Sequence, residues 1–274
     1  MGFPKGAIAS ALGYFILRRP CAFLAPTVMT LKLVTTVTKK QELPDAEAIR
    51  GFYDRVYYRD AKIDEKVSRH HRRLAKKLQP WGGLQLLDVA CGTGSWLAAA
   101  AALGAIPTGI DISQRALDVC RQRLPQVDIH CGPAEHLPFA SQWFDVISCL
   151  GALEHFLDPQ PALQEMVRVA KPDALFLLLV PNAGFPPLRL GLYSGTHQTE
   201  VREEVRSLSE WTELFQSAGL RVRHRWRDLH ILSPSWICRG PCYAWPLRAA
   251  QALALPFWPL SWQYQIYFLC TVKH

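Results

Sequence analysis

The chain of 274 residues contains no apolar run long enough to cross a bilayer. Spanning a hydrocarbon core of ~30 Å takes about 20 consecutive apolar residues. The apolar N-terminal stretch is split by Arg18, Arg19 and Pro20. A secretory leader is also disfavoured, because Lys5 is a weak positive start and the two arginines follow the apolar residues instead of preceding them. Residues 1–40 therefore read as an apolar, basic extension: a membrane-surface anchor, a packed extra helix, or residues upstream of a natural start at Met29. The eight cysteines form no C-x-x-C pair, and Cys238 and Cys242 have no second pair to complete a zinc site. Several sit in strand-like runs such as "FDVISCL", where cysteine behaves as a small core residue. A reducing compartment, hence a cytoplasmic protein, is the simpler expectation.

Charge is scarce as well, at 20% of residues, while 49% are hydrophobic, which excludes a largely disordered chain. The net charge of +8 is unevenly placed: residues 1–80 hold 16 Lys and Arg against 7 Asp and Glu, and the rest of the chain holds 15 against 16. A nucleic-acid enzyme carries its basic patch on the working face, so no nucleic-acid partner is expected. An anionic membrane surface accounts for a basic N-terminal third at least as well. There is no internal repeat and no low-complexity tract.

What is present is an alternation of strand and helix patterns beginning near residue 84. Strand-like runs occupy 84–90, 105–112, 127–131, 144–150 and 173–181. The helical stretches between them are "SWLAAAAALG", closed by Gly104; "SQRALDVCRQRL", opened by Ser113 as N-cap; and "DPQPALQEMVRVAKP", stopped by Pro172. This pattern implies a mostly parallel, doubly wound α/β sheet with helices on both faces. After the fifth strand come an insert at 182–207, a helix "SLSEWTELFQSAGL", a strand "LRVRHRWRDL", an apolar segment at 233–262 and a last strand at 263–272, for about seven strands in all. Residues 41–274 are expected to form one domain, with the two inserts as a substrate cap.

In such a sheet, ligands bind beyond the carboxyl ends of the strands. "LLDVACGTGSW" lies at one of those ends. Gly92 and Gly94 let the backbone approach a polar ligand, although a tight strand-to-helix turn alone would also use them. "GIDIS" ends the second strand in Asp111, 17 residues after Gly94, where an acid can reach a ribose diol or act only as an N-cap. The dinucleotide fingerprint G-x-G-x-x-G fails, because Leu97 occupies the place of its third glycine, and a nucleotide-dependent oxidoreductase is disfavoured.

Together these segments resemble the class I S-adenosylmethionine-dependent methyltransferases, most closely the type 11 group that includes ubiquinone and menaquinone methyltransferases. The resemblance runs through "LLDVACGTGSW", "GIDISQRAL", "CGPAEHLPFASQWFDVISCLGALEHFLDP" and "LQEMVRVAKPDALFLLLVPN", covering residues 84–182, and more weakly through "SLSEWTELFQSAGLRV". It implies a Rossmann-like sheet with an antiparallel last strand and S-adenosyl-L-methionine as cofactor. Asp88, Ala90, Gly92 and Gly94 would surround the methionine part, and Asp111, followed by Ile112, would hold the ribose. Ala134 and Glu135 would lie along the adenine, with Leu150 and Gly151 beside the amino end. Two positions depart from the pattern. Ala90 replaces the usual first glycine, a change a methyl group should tolerate, and Pro133 replaces an acid beside the adenine. His155, in "LEHFLDP", would lie near the transferred methyl, as a base or in a structural or substrate-positioning role. Gly151 stands where some relatives carry a further acid, so no metal site is expected from Glu154 and His155.

The acceptor pocket is expected from "IRGFYDRVYYRD" and the two inserts, with Tyr53 and Tyr57 covering the cofactor or packing in the core. The helix "DEKVSRHHRRLAKKL" places Val67, His71, Leu74, Ala75 and Leu78 on one face, its cations facing solvent or a membrane. Trp236, Trp245, Trp258 and Trp262 suit an apolar substrate, a bilayer interface or simple burial. The resulting expectation is methyl transfer to a small lipophilic acceptor, quinone-like or lipid-like, with peripheral membrane contact. The alternative is a non-catalytic cofactor-binding or partner-activating protein of the same fold.

Overall fold

Neighbouring residues along the central strands are apolar on both faces, which requires a sheet covered on both sides. Leu86 and Leu87, Val146 and Ile147, and Leu177 and Leu178 are all buried. In each pair the first residue joins one hydrophobic core and the second joins the other, as the period of two demands. The computed structural model describes residues 46–61, 67–78, 81–190, 203–230, 237–238 and 242–273. The extension at 1–40 and the residue Trp236 lie outside these, as does much of the first insert.

The sheet contains β1 (Gln85–Val89), β2 (Ile106–Asp111), β3 (Asp128–Cys131), β4 (Phe144–Leu150), β5 (Ala170–Pro181), β6 (Leu220–Arg227) and β7 (Gln265–Val272). Their order is β3-β2-β1-β4-β5-β7-β6. Strands β1 to β5 are mutually parallel, and β7 runs antiparallel between β5 and β6. Because β1 pairs with β2 on one side and β4 on the other, winding reverses at β1, and a crevice opens at its carboxyl end.

The helices are α1 (Ala46–Phe52), α2 (Arg69–Lys77), α3 (Ser95–Ala101), α4 (Gln114–Arg123), α5 (Pro159–Val169), α6 (Pro186–Arg189), α7 (Leu208–Ser217) and α8 (Trp245–Ala254). Leu74 and Ala75 of α2, with Trp96 and Leu97 of α3, fill one core; Met166 of α5 and Trp211 of α7 fill the other. Side-chain caps set the helix starts. Ser113 Oγ accepts the Ala116 N–H at 3.1 Å, and Ser207 forms a reciprocal capping box with Glu210. The cap of α4 is therefore Ser113 and not Asp111.

One boundary differs from the sequence pattern. Helix α5 ends at Val169, and β5 already begins at Ala170, so Pro172 lies inside the strand and not behind the helix. Proline drives the preceding residue into extended backbone. The surplus residues are absorbed by a register shift, in which Phe144 pairs with Ala170 but Val146 pairs with Leu175.

Candidate cofactor and acceptor site

The loop from Val89 to Ser95 follows β1 into α3 through left-handed backbone, with φ of +62° at Ala90, +52° at Gly92 and +73° at Gly94. A Cβ on Gly92 would meet the Tyr58 hydroxyl at 2.7 Å, so this glycine keeps the backbone open beneath a tyrosine. The Asp111 carboxylate clamps the loop from β2. Its Oδ2 accepts the Gly92 N–H and its Oδ1 accepts the Ser113 N–H, both at 2.8 Å. Burial pushes Asp111 up to about 6, against the opposing pull of these amides. An ionised carboxylate offers about four lone-pair sites, and with the Ile112 amide also drawing on it, capacity is left for a ribose hydroxyl.

Asp88 ends β1 and is buried. Ser148 on β4 donates to its Oδ1 at 2.7 Å, and Trp96 Nε1 donates to Ser148 Oγ at 3.0 Å. Burial raises Asp88 to about 7. The loop is thus tied to both neighbouring strands, through Asp111 to β2 and through Ser148 to β4.

A cavity of about 440 Å³ runs along the carboxyl edge of the sheet. Ile112, Pro133, Ala134 and Glu135 line it on the β2–β3 side. Asp88, Ala90, Gly92, Asp111, Leu150 and Gly151 line its middle, with His155 beside them. Ile49, Tyr53, Tyr57 and Tyr58 add an aromatic wall from α1 and the π-helical turn Tyr53–Tyr57 that follows it. Every site residue singled out in the sequence borders this space except Gly94. That glycine lies behind the loop, where a Cβ would meet Cys120 Sγ at 2.5 Å, so its requirement is steric and conformational. Ala90 carries a cost the sequence did not reveal: its methyl fits, but its φ is one that favours glycine.

His155 is buried in the short 3₁₀ turn after β4, its Nε2 4.0 Å from Glu154 Oε1. Burial pushes Glu154 up to about 8. The described residues of the two inserts do not line the cavity. Their apolar groups pack on one another instead, Phe185 and Leu188 with Trp258 and with Tyr264 just ahead of β7. Asn182 fastens the second insert by donating to Ser261 O and Gln263 O at 2.8 and 2.9 Å.

The far end of the cavity, over β5, β7 and β6, holds a polar group the sequence did not single out. His70 Nε2 lies 2.7 Å from the Tyr267 hydroxyl and 3.5 Å from Asp228 Oδ1. The His230 N–H donates to the same Oδ1 at 3.0 Å, and the His70 and His230 rings meet edge to face at 5.1 Å. His71 anchors α2 through Nδ1 at 3.1 Å from Ser95 Oγ. Only the "HH" pair on α2 was visible in the sequence, and nothing there tied it to residues 228–267. Among the described residues, no group of three or more His, Cys, Asp or Glu is placed to hold a metal ion.

The comparisons with known proteins bear on the segment from β1 to β5. Residues 87–178 match a family described as "Methyltransferase domain". This segment is a methyltransferase domain. The chain is 30% identical over 154 residues to the ubiquinone biosynthesis O-methyltransferase of Coxiella burnetii, covering 51% of this chain and 64% of that protein. It is 36% identical over 110 residues to the demethylmenaquinone methyltransferase of Chlorobaculum parvum, covering 40% of this chain and 46% of that protein. The matches thus span just under two thirds of the first relatives. Among solved structures, a chain from the complex between the Haloferax volcanii Trm112 methyltransferase activator and a methyltransferase superposes with a TM-score of 0.61 at 20% identity. It covers 82% of this chain and 98% of that one, a likeness in fold. The domain indicates S-adenosylmethionine as cofactor, and the open Gly92 backbone, the spare lone pairs of Asp111 and the cavity between them fit such a group.

Proposed function

We propose that this chain transfers a methyl group from S-adenosylmethionine to a small lipophilic acceptor, quinone-like or lipid-like, at a membrane surface. The observation that carries this reading is the Asp111 carboxylate, which holds the Gly92 amide while bordering the cavity with lone pairs to spare. Asp111 would take the ribose hydroxyls, Ala134 and Glu135 would flank the adenine beside Ile112, and Leu150 and Gly151 would pass the amino end. The bound cofactor supplies an electrophilic methyl group on a sulfonium. The protein then has to align the acceptor in line with it, exclude water and accept a proton where the acceptor is a hydroxyl. His155 borders the same space and orients the acceptor or takes its proton.

The lipophilic acceptor is supported by the aromatic wall of Tyr53, Tyr57 and Tyr58, and by the quinone methyltransferases among the relatives. Membrane contact is supported by exposed Tyr243, Leu253, Phe257 and Trp262 in and beside α8, large apolar groups that water does not favour. No helix among the described residues is long and apolar enough to cross a membrane, so the contact would be peripheral. A fold does not fix a chemistry. Incubation with S-adenosylmethionine and a panel of lipophilic phenols tests the reading: formation of S-adenosylhomocysteine supports it, and cofactor binding without turnover favours the non-catalytic alternative.

A further inference from the structure

The cavity has two chemically different ends. On the β2–β3 side it offers Asp111 and a backbone loop, and on the β5–β7–β6 side it offers His70, Asp228, His230 and Tyr267. These four come from α2, the end of β6 and β7, at positions far apart in sequence. The walls between are largely apolar and aromatic, with Tyr53, Phe156, Leu157 and Leu179 among them. A flat apolar ring bearing an acidic hydroxyl matches that distribution, since a few placed polar groups in an apolar pocket fix orientation.

We infer that His70, held by Asp228 and Tyr267, is the group that takes the proton from a phenolic acceptor, which leaves His155 the role of orienting it. The inference rests on the methyltransferase reading above. Asp228 and Tyr267 both engage Nε2, at 3.5 and 2.7 Å. With Nε2 carrying its hydrogen toward them, the lone pair is on Nδ1. The His70 side chain is 22% exposed and borders the cavity, whereas the Asp228 side chain is only 6% exposed behind it. In the transfer, the phenol O–H proton passes to Nδ1 and the oxygen bonds the methyl carbon. The electron pair of the broken C–S bond stays on sulfur, leaving neutral S-adenosylhomocysteine. The imidazolium formed on His70 is offset by the Asp228 carboxylate, which also accepts the His230 N–H.

The electrostatics agree with this geometry. Burial, aided by Arg73, lowers His70 to about 4, so the ring is neutral near pH 7 and presents a lone pair, and its protonated form depends on the Asp228 carboxylate for stabilisation. Burial also raises Asp228 to about 6, which still leaves it ionised at that pH. Perturbed groups gathered in one cavity are where function concentrates.

The experiment uses 4-nitrocatechol, whose absorbance reports ionisation of its phenol, titrated into the whole protein with S-adenosylhomocysteine present. The wild type is expected to bind it as the phenolate. His70→Gln should abolish the spectral shift or weaken binding at least about tenfold. Asp228→Asn, which preserves volume and leaves α2 unaltered, should weaken the shift in the same direction. Calorimetric titration with S-adenosylmethionine should give both variants the wild-type affinity. Absence of a phenolate shift in the wild type, or an undiminished shift in both variants, overturns the assignment of His70. Absence of S-adenosylmethionine binding by the wild type instead overturns the methyltransferase reading, so the two failures are distinguishable.

Discussion

The Asp111 carboxylate accepts the Gly92 N–H at 2.8 Å across 19 positions of sequence, so the end of β2 sets the shape of the loop that follows β1. Its second oxygen performs the same service for Ser113 at the head of α4. Asp111→Ala leaves two amides without their acceptor. Each unsatisfied buried donor costs about 1–3 kcal/mol. Urea unfolding should show a loss of about 3 kcal/mol, and S-adenosylmethionine affinity should fall at least about tenfold because two charge-assisted hydrogen bonds go with it. Asp111→Asn should retain more stability than the alanine variant while losing affinity.

Ala90 is the position where a substitution should improve the protein. Its φ of +62° lies in the left-handed region, which costs a residue with a Cβ about 1 kcal/mol. Ala90→Gly removes that strain but gains unfolded-state entropy, so the net stabilisation should be about 0.5 kcal/mol. A higher urea midpoint at unchanged slope would show it.

Much of this arrangement was legible in the sequence. The strand-like runs at 144–150 and 105–112 became β4 and β2, because adjacent apolar residues point to opposite covered faces. Ser113 read as a cap and is one, since its hydroxyl finds its partner, the Ala116 amide, only three residues along the chain. The end of α5 was misplaced because a bulge between β4 and β5 takes up Pro172, and a bulge leaves no periodic trace. The cluster of His70, Asp228 and Tyr267 was invisible for a related reason: it depends on β7 inserting between β5 and β6, a pairing order that no local pattern encodes.

Glu154 should give stability a distinctive pH dependence. Burial raises its carboxyl to about 8 in the folded protein, from an ordinary value near 4.5. A raised acid binds its proton more tightly when folded, so its contribution is full below the unfolded value and is lost as pH rises through about 8. Asp88, at about 7, acts with the same sign. The contribution of these two carboxyls should therefore decline from pH 5 to pH 8.5, against an opposite contribution from His70, whose lowered value favours the folded state as pH rises. Glu154→Gln should flatten that decline by an amount on the order of 3 kcal/mol, and urea unfolding at several pH values would measure it.

The exposed apolar groups beside α8 lead to a surface prediction. Phe257 is 88% and Leu253 72% exposed. The double variant Leu253→Glu with Phe257→Glu should fold as the wild type does but float less with anionic liposomes. Equal flotation of the two proteins would remove this surface from the account.

The most direct measurement is calorimetric titration of the whole protein with S-adenosylmethionine and, separately, with NADH. The account requires saturable binding of S-adenosylmethionine, weakened in Asp111→Asn, and no binding of NADH. A folded protein that binds NADH, or that leaves S-adenosylmethionine unbound, would contradict it.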